Sequence, residues 1–137
     1  MTISRVLTQR LFDGESYQDN KVIIIDDGII MGFDDEVSNF TAQVSGLVAP
    51  GFIDLQVNGG GGVLFNSTPS LAGIKAIMAA HAKFGTTAML PTLITDTVSV
   101  MAEAADAIAS AIASNEPGII GIHFEGPHLS VVKKGAH

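Results

Sequence analysis

The run Gly121-Ile122-His123-Phe124-Glu125-Gly126-Pro127-His128 ends an apolar strand in a carboxylate and then turns the chain at once. A buried carboxylate without a partner is costly, so Glu125 calls for a metal ion or another cation. An ion-paired or capping glutamate is the plain alternative. His123 lies two residues before Glu125, on the same face of an extended chain, and reads as a core-layer or supporting imidazole. His128 and His137 fall in the loop after the strand, where a substrate would be reached, and Lys133 and Lys134 read as a solvated turn. Asp54, Gln56 and Asn58 alternate along another apolar run, so all three share one face. Amides are weak zinc ligands, so Gln56 and Asn58 read as a polar network at strand ends rather than as ligands. Residues 59–62, four glycines, could offer backbone N–H groups to an anion. They match neither GxxxxGK[ST] nor GxGxxG, and a tight turn accounts for them. His81 falls on a helix face, structural or at the surface.

The elements that must position these groups follow from periodicity. Residues 71–84 have helical spacing, with Leu71, Ile74, Ile77, Met78 and His81 on one side, Ser67, Thr68 or Ser70 as cap, and Gly85 as stop. Residues 98–114 form a second, alanine-rich amphipathic helix. Strands are expected at 52–58, 86–94 and 119–124, with Pro91 marking an irregular end. The order strand–helix–strand–helix–strand indicates parallel βαβ units, the start of a (β/α)₈ barrel whose reactive groups gather at strand C-termini. Before residue 47 the texture differs. It is polar and acidic, with Asp13-Gly14 and Asp27-Gly28 as turns, 21–25 and 29–33 as a hairpin, and a third strand near 42–44. The expected fold is α/β: part of a small β-sandwich domain over 1–46, then the first units of a TIM-like barrel over 47–137.

Composition narrows the function classes. Hydrophobic residues make up 47% of 137, which excludes disorder and fits strands buried on both faces. The net charge is −7, eight of the fourteen acids lie between Asp13 and Glu36, and the seven Lys and Arg are scattered. Nucleic acid and anionic membrane are therefore not expected partners. There is no cysteine, hence no disulfide and no thiol nucleophile. No signal-peptide core and no spanning run is read, so a cytoplasmic location is expected.

Three stretches together resemble one family. Ala49-Pro50-Gly51-Phe52-Ile53-Asp54-Leu55-Gln56-Val57-Asn58-Gly59, then Leu90-Pro91-Thr92-Leu93-Ile94-Thr95, then His123-Phe124-Glu125-Gly126-Pro127 with Lys133-Lys134-Gly135-Ala136-His137 are similar to the N-terminal part of the N-acetylglucosamine-6-phosphate deacetylases, in the amidohydrolase superfamily. The resemblance implies hydrolysis of the acetamide of N-acetylglucosamine 6-phosphate to glucosamine 6-phosphate and acetate. It implies Glu125 as a ligand of a divalent metal, one zinc per subunit, and Ala136 and His137 at the sugar site. It also implies a homodimer. Where many superfamily members carry His-x-His, this chain has Gln56-x-Asn58, which resembles the single-metal branch. Two further ligand histidines, a proton-transfer aspartate and a phosphate-binding arginine would lie beyond residue 137, so the 137 residues alone are expected to be inactive. The competing expectations are another cyclic amidase or deaminase of the superfamily, or a non-catalytic remnant acting as a binding module.

Overall fold

Asp27-Gly28 turns the chain as its residues predict, with Asp27 at φ 49° and Gly28 at φ 80°, the backbone of a two-residue hairpin turn. It joins β2 (Tyr17–Asp26) to β3 (Ile29–Asp34), with Asp26 opposite Ile29. The computed structural model describes residues 3–135; two compact units divide between Pro50 and Gly51. In the first unit β1 (Ile3–Phe12) pairs antiparallel with β2 and parallel with β4 (Ala42–Val48), giving the order β3-β2-β1-β4. The sequence reading did not find β1, although it is flanked on both sides. Its polar and apolar residues are mixed, and only Thr8 and Leu11 are buried, so no alternation marks it. Arg5, on β1, holds the chain beyond β3: its guanidinium bonds the Asp34 carboxylate at 2.8 Å and the Asn39 carbonyl at 2.6 Å.

The second unit is α/β. A parallel sheet runs β5 (Phe52–Val57), β8 (Thr86–Ile94), β9 (His123–Glu125), in the order β5-β8-β9. Between β5 and β8 lie a short hairpin, β6 (Gly59–Gly60) with β7 (Val63–Leu64), a 3₁₀ turn Phe65–Ser67, and α1 (Leu71–Ala82). Between β8 and β9 lies α2 (Val98–Ala113). Ser70 caps α1 by accepting from the Gly73 N–H at 3.2 Å, and Thr97 caps α2 by accepting from the Val100 N–H at 3.3 Å. Ala104, Ile108 and Ala111 give α2 one buried face at helical spacing. They pack with Phe65, Ile74, Ile77, Met89, Leu93 and Ile119 into one core, which fixes the positions of the strand ends.

The tight turn expected at 59–62 is present: Gly59–Gly60 form β6, and Gly61 and Gly62, at φ 60° and 82°, turn the chain into β7. One local expectation needs correction. The strand expected at 119–124 splits: Ile119 bridges Met89, and only His123–Glu125 forms a ladder, beginning at Thr92. Four residue steps in the incoming chain thus match three on β8, a one-residue bulge beside Pro91, which has no N–H to give the ladder.

Candidate active site at the strand ends

The end of β5, the C-terminal part of β8 and the start of β9 are tied together through one hydroxyl. Thr92 is fully buried. Its Oγ1 accepts from the Val57 N–H of β5 at 2.9 Å, lies 3.2 Å from the Leu90 carbonyl, and lies 3.4 Å from Nδ1 of His123 on β9. With its hydrogen given to Leu90, the oxygen keeps lone pairs for Val57 and for a proton on His123 Nδ1. A threonine at this place therefore joins three strands and sets the His123 ring.

Glu125 is the last residue of β9, in register with Ile94, and is half-buried. Its carbonyl accepts from Thr95 Oγ1 at 3.2 Å. The chain then turns through Gly126, at φ 107°, and Pro127, joined by a cis peptide. A Cβ on Gly126 would sit 2.0 Å from Thr95 Oγ1, so only glycine fits where β9 leaves the sheet. A cavity of about 220 Å³ beside this turn is lined by Thr95, Pro127, Leu129, Val131 and Lys134. Lys134 borders this cavity and is exposed, as is His128.

Asn66 is a member of this region that sequence reasoning missed. Its side-chain amide accepts from the Ile94 N–H at 3.1 Å and donates to the Ile94 carbonyl at 3.0 Å and to the Asp96 carboxylate at 2.9 Å. β5 stops at Val57, opposite Pro91, so beyond that point the amide replaces a neighbouring strand. That hydrogen bond, with a second from the Thr97 N–H, holds the Asp96 carboxyl below its ordinary value against the opposing effect of burial. The available signal was chemical: among side chains as short, only asparagine carries the donor and acceptor of a peptide group.

On the far side of β8, Asp54 Oδ1 accepts from the Gln56 N–H at 3.1 Å. Gln56 is exposed, Asn58 is half-buried, and the Asn58 carbonyl accepts from the Phe65 N–H at 2.8 Å. Because β8 separates β5 from β9, Gln56 lies on a strand about 10 Å from that of Glu125, and Asn58 follows the end of that strand. His81 Nε2 lies 3.0 Å from the Gly59 carbonyl, which can only accept, so Nε2 carries the proton and pins the glycine hairpin to α1. Ala136 and His137 lie outside the described residues. Among the described residues no three His, Cys, Asp or Glu side chains gather as a metal set. Glu125 is half-buried at the end of β9, and a carboxylate has the chemistry to take a divalent cation.

Comparison with known proteins places this geometry. No family model matches the chain. The chain is 51% identical, along 98% of its length, to an N-acetylgalactosamine-6-phosphate deacetylase of Shewanella sp. (strain ANA-3). The chain is a homologue of the amino-sugar 6-phosphate deacetylases. It spans about a third of that relative, 34% of its length. A second deacetylase, named for N-acetylglucosamine 6-phosphate and from Haemophilus influenzae, is 39% identical over 64% of the chain and 23% of its own length. Among solved structures, N-acetylglucosamine-6-phosphate deacetylase from Pasteurella multocida superposes with a TM-score of 0.92 at 29% identity, covering 99% of this chain and 37% of that one. The Pasteurella enzyme thus shares the fold along 99% of this chain.

Proposed function

We propose that this chain forms the part of an N-acetylhexosamine-6-phosphate deacetylase that presents Glu125 to the reacting acetamide. In this reading the first unit is part of a small β-sandwich and the second is the start of a TIM-like barrel, in a cytoplasmic homodimer. The observation that carries the proposal is the 51% identity along 98% of the chain, to a protein named for this hydrolysis. A divalent metal, zinc in this reading, would supply Lewis-acid chemistry there, activating water and polarising the amide carbonyl. Glu125 would be the one ligand this stretch contributes. Thr92 and the β8–β9 ladder orient the strand end, the Gly126-Pro127 turn directs the chain away from it, and Gln56 and Asn58 supply a polar wall. Ala136 and His137 would meet the sugar.

The resemblance carried by the Gln-x-Asn, Glu-Gly-Pro and Lys-Lys-Gly-Ala-His motifs is to the N-acetylglucosamine-6-phosphate deacetylases, and N-acetylglucosamine 6-phosphate is accordingly the first substrate proposed. A second reading, the C4 epimer N-acetylgalactosamine 6-phosphate, is favoured by the name of the Shewanella relative. Acetate release by the full-length gene product, measured with both epimers and beside ring opening of a cyclic amide, tests the proposal. Turnover of either sugar phosphate is expected, and the ratio of the two kcat/KM values selects the epimer. Cyclic-amide hydrolysis with neither sugar turned over would overturn it.

A further inference from the structure

We propose that Asn66 is a positioning residue for Glu125, a role that rests on the reading of Glu125 above. Beyond Val57, among the described residues, no strand pairs with β8 on the β5 side, and the amide of Asn66 fills that place with three hydrogen bonds, two to the Ile94 backbone and one to Asp96. Asn66 is itself held firmly. The neighbouring Phe65 is fully buried in the core, its N–H bonds the Asn58 carbonyl, and the Thr68 N–H closes the 3₁₀ turn on Leu64 and Phe65. The rigid turn therefore sets the amide, and the amide sets the last residue of β8.

What lies on the other side of Ile94 is the glutamate. Ile94 is in register with Glu125, and the next residue, Thr95, donates to the Glu125 carbonyl. Thr95 also stands where Gly126 has no side chain, so a shift of Thr95 presses on the turn that follows Glu125. Without the amide, the Ile94 N–H and carbonyl would turn to water or to each other's neighbours, and the end of β8 would no longer fix Glu125. Groups that orient a ligand without touching the ion change affinity or activity by about 10- to 100-fold when removed.

The test uses the full-length, zinc-loaded enzyme with Asn66→Ala and the isosteric Asn66→Asp, which keeps the acceptor for Ile94 N–H and loses both donors. Zinc affinity is read by chelator competition, and kcat and KM by acetate release. Ser70→Ala, which removes the α1 cap without touching β8, controls for lost stability. The expected result is a fall of roughly 10- to 100-fold in zinc affinity and kcat for both Asn66 variants, with KM little changed. Ser70→Ala lowers the unfolding temperature and leaves both quantities alone. If the Asn66 variants unfold more readily yet keep zinc affinity and kcat, the proposal is overturned and Asn66 is structural only. Asn66→Asp carries the test if Asn66→Ala does not fold. Glu125→Gln separates the two failures: zinc lost with Glu125→Gln but kept in the Asn66 variants rejects Asn66 alone. Zinc kept in Glu125→Gln rejects the reading of Glu125 and this inference with it.

Discussion

Thr92 shows how much a single oxygen can organise. Thr92→Val keeps the shape but leaves the buried Val57 N–H without its acceptor, a loss of about 1–3 kcal/mol. Urea unfolding of the full-length protein should show that loss, and an unchanged midpoint would refute the role of the hydroxyl. The carboxylates give a pH dependence whose sign is fixed. Asp13, Asp34, Glu36 and Asp96 all lie below their ordinary values: for Asp13 and Glu36 through local hydrogen bonds, for Asp34 through the Glu36 N–H and Arg5, and for Asp96 through Asn66 and the Thr97 N–H. Their folded pKa values are lower than their unfolded ones, so their stabilisation is complete above the ordinary range and is lost as pH falls through the lowered values. Unfolding temperature should hold steady above about pH 5 and decline on further acidification, less steeply in Asp96→Asn. A gain of stability on acidification would contradict this. At this scale the sequence made Glu125 and His123 visible, since a strand-end carboxylate and a period of two need no tertiary knowledge. Thr92 and Asn66 stayed hidden because their importance lies in partners 28 to 35 residues away.

Elements with strong periodicity were legible. α1, α2 and β8 lie where spacing, caps and β-branched residues place them, and the Asp27-Gly28 hairpin follows from turn chemistry alone. β1 was not, because its residues alternate for neither face. The 119–124 strand was overextended, because the bulge opposite Pro91 is a property of pairing rather than of either segment. The glycine hairpin belongs to the same class. A Cβ on Gly59 would lie 2.3 Å from the Val63 carbonyl, so the close approach of β6 and β7 requires glycine there. Gly59→Ala is expected to cost about 1–3 kcal/mol by forcing the strands apart. Thermal unfolding checks it, and a wild-type midpoint would mean that the hairpin contributes nothing to packing.

For the whole molecule the exposed apolar surface matters most. Phe52, Ile53 and Leu55 on β5 and Ile120 before β9 are each more than half exposed. Surface of this kind, gathered at sheet edges, favours association. The 137-residue chain by itself should run on size exclusion with light scattering as oligomers or aggregate, and a stable monomer of 14.2 kDa would contradict that. Fold class was readable from the alternation of strands and helices, since βαβ order constrains topology before any contact is known. What covers β5 could not be read, because the burial of an edge strand depends on its neighbours rather than on its own residues. The most direct test of the central claim is acetate release from N-acetylglucosamine 6-phosphate and its C4 epimer by the full-length enzyme carrying Glu125→Gln. Activity should fall by more than the roughly 100-fold that removing a ligand's supporting partner costs. Activity equal to that of the unaltered enzyme would show that the strand-end glutamate has no part in the reaction.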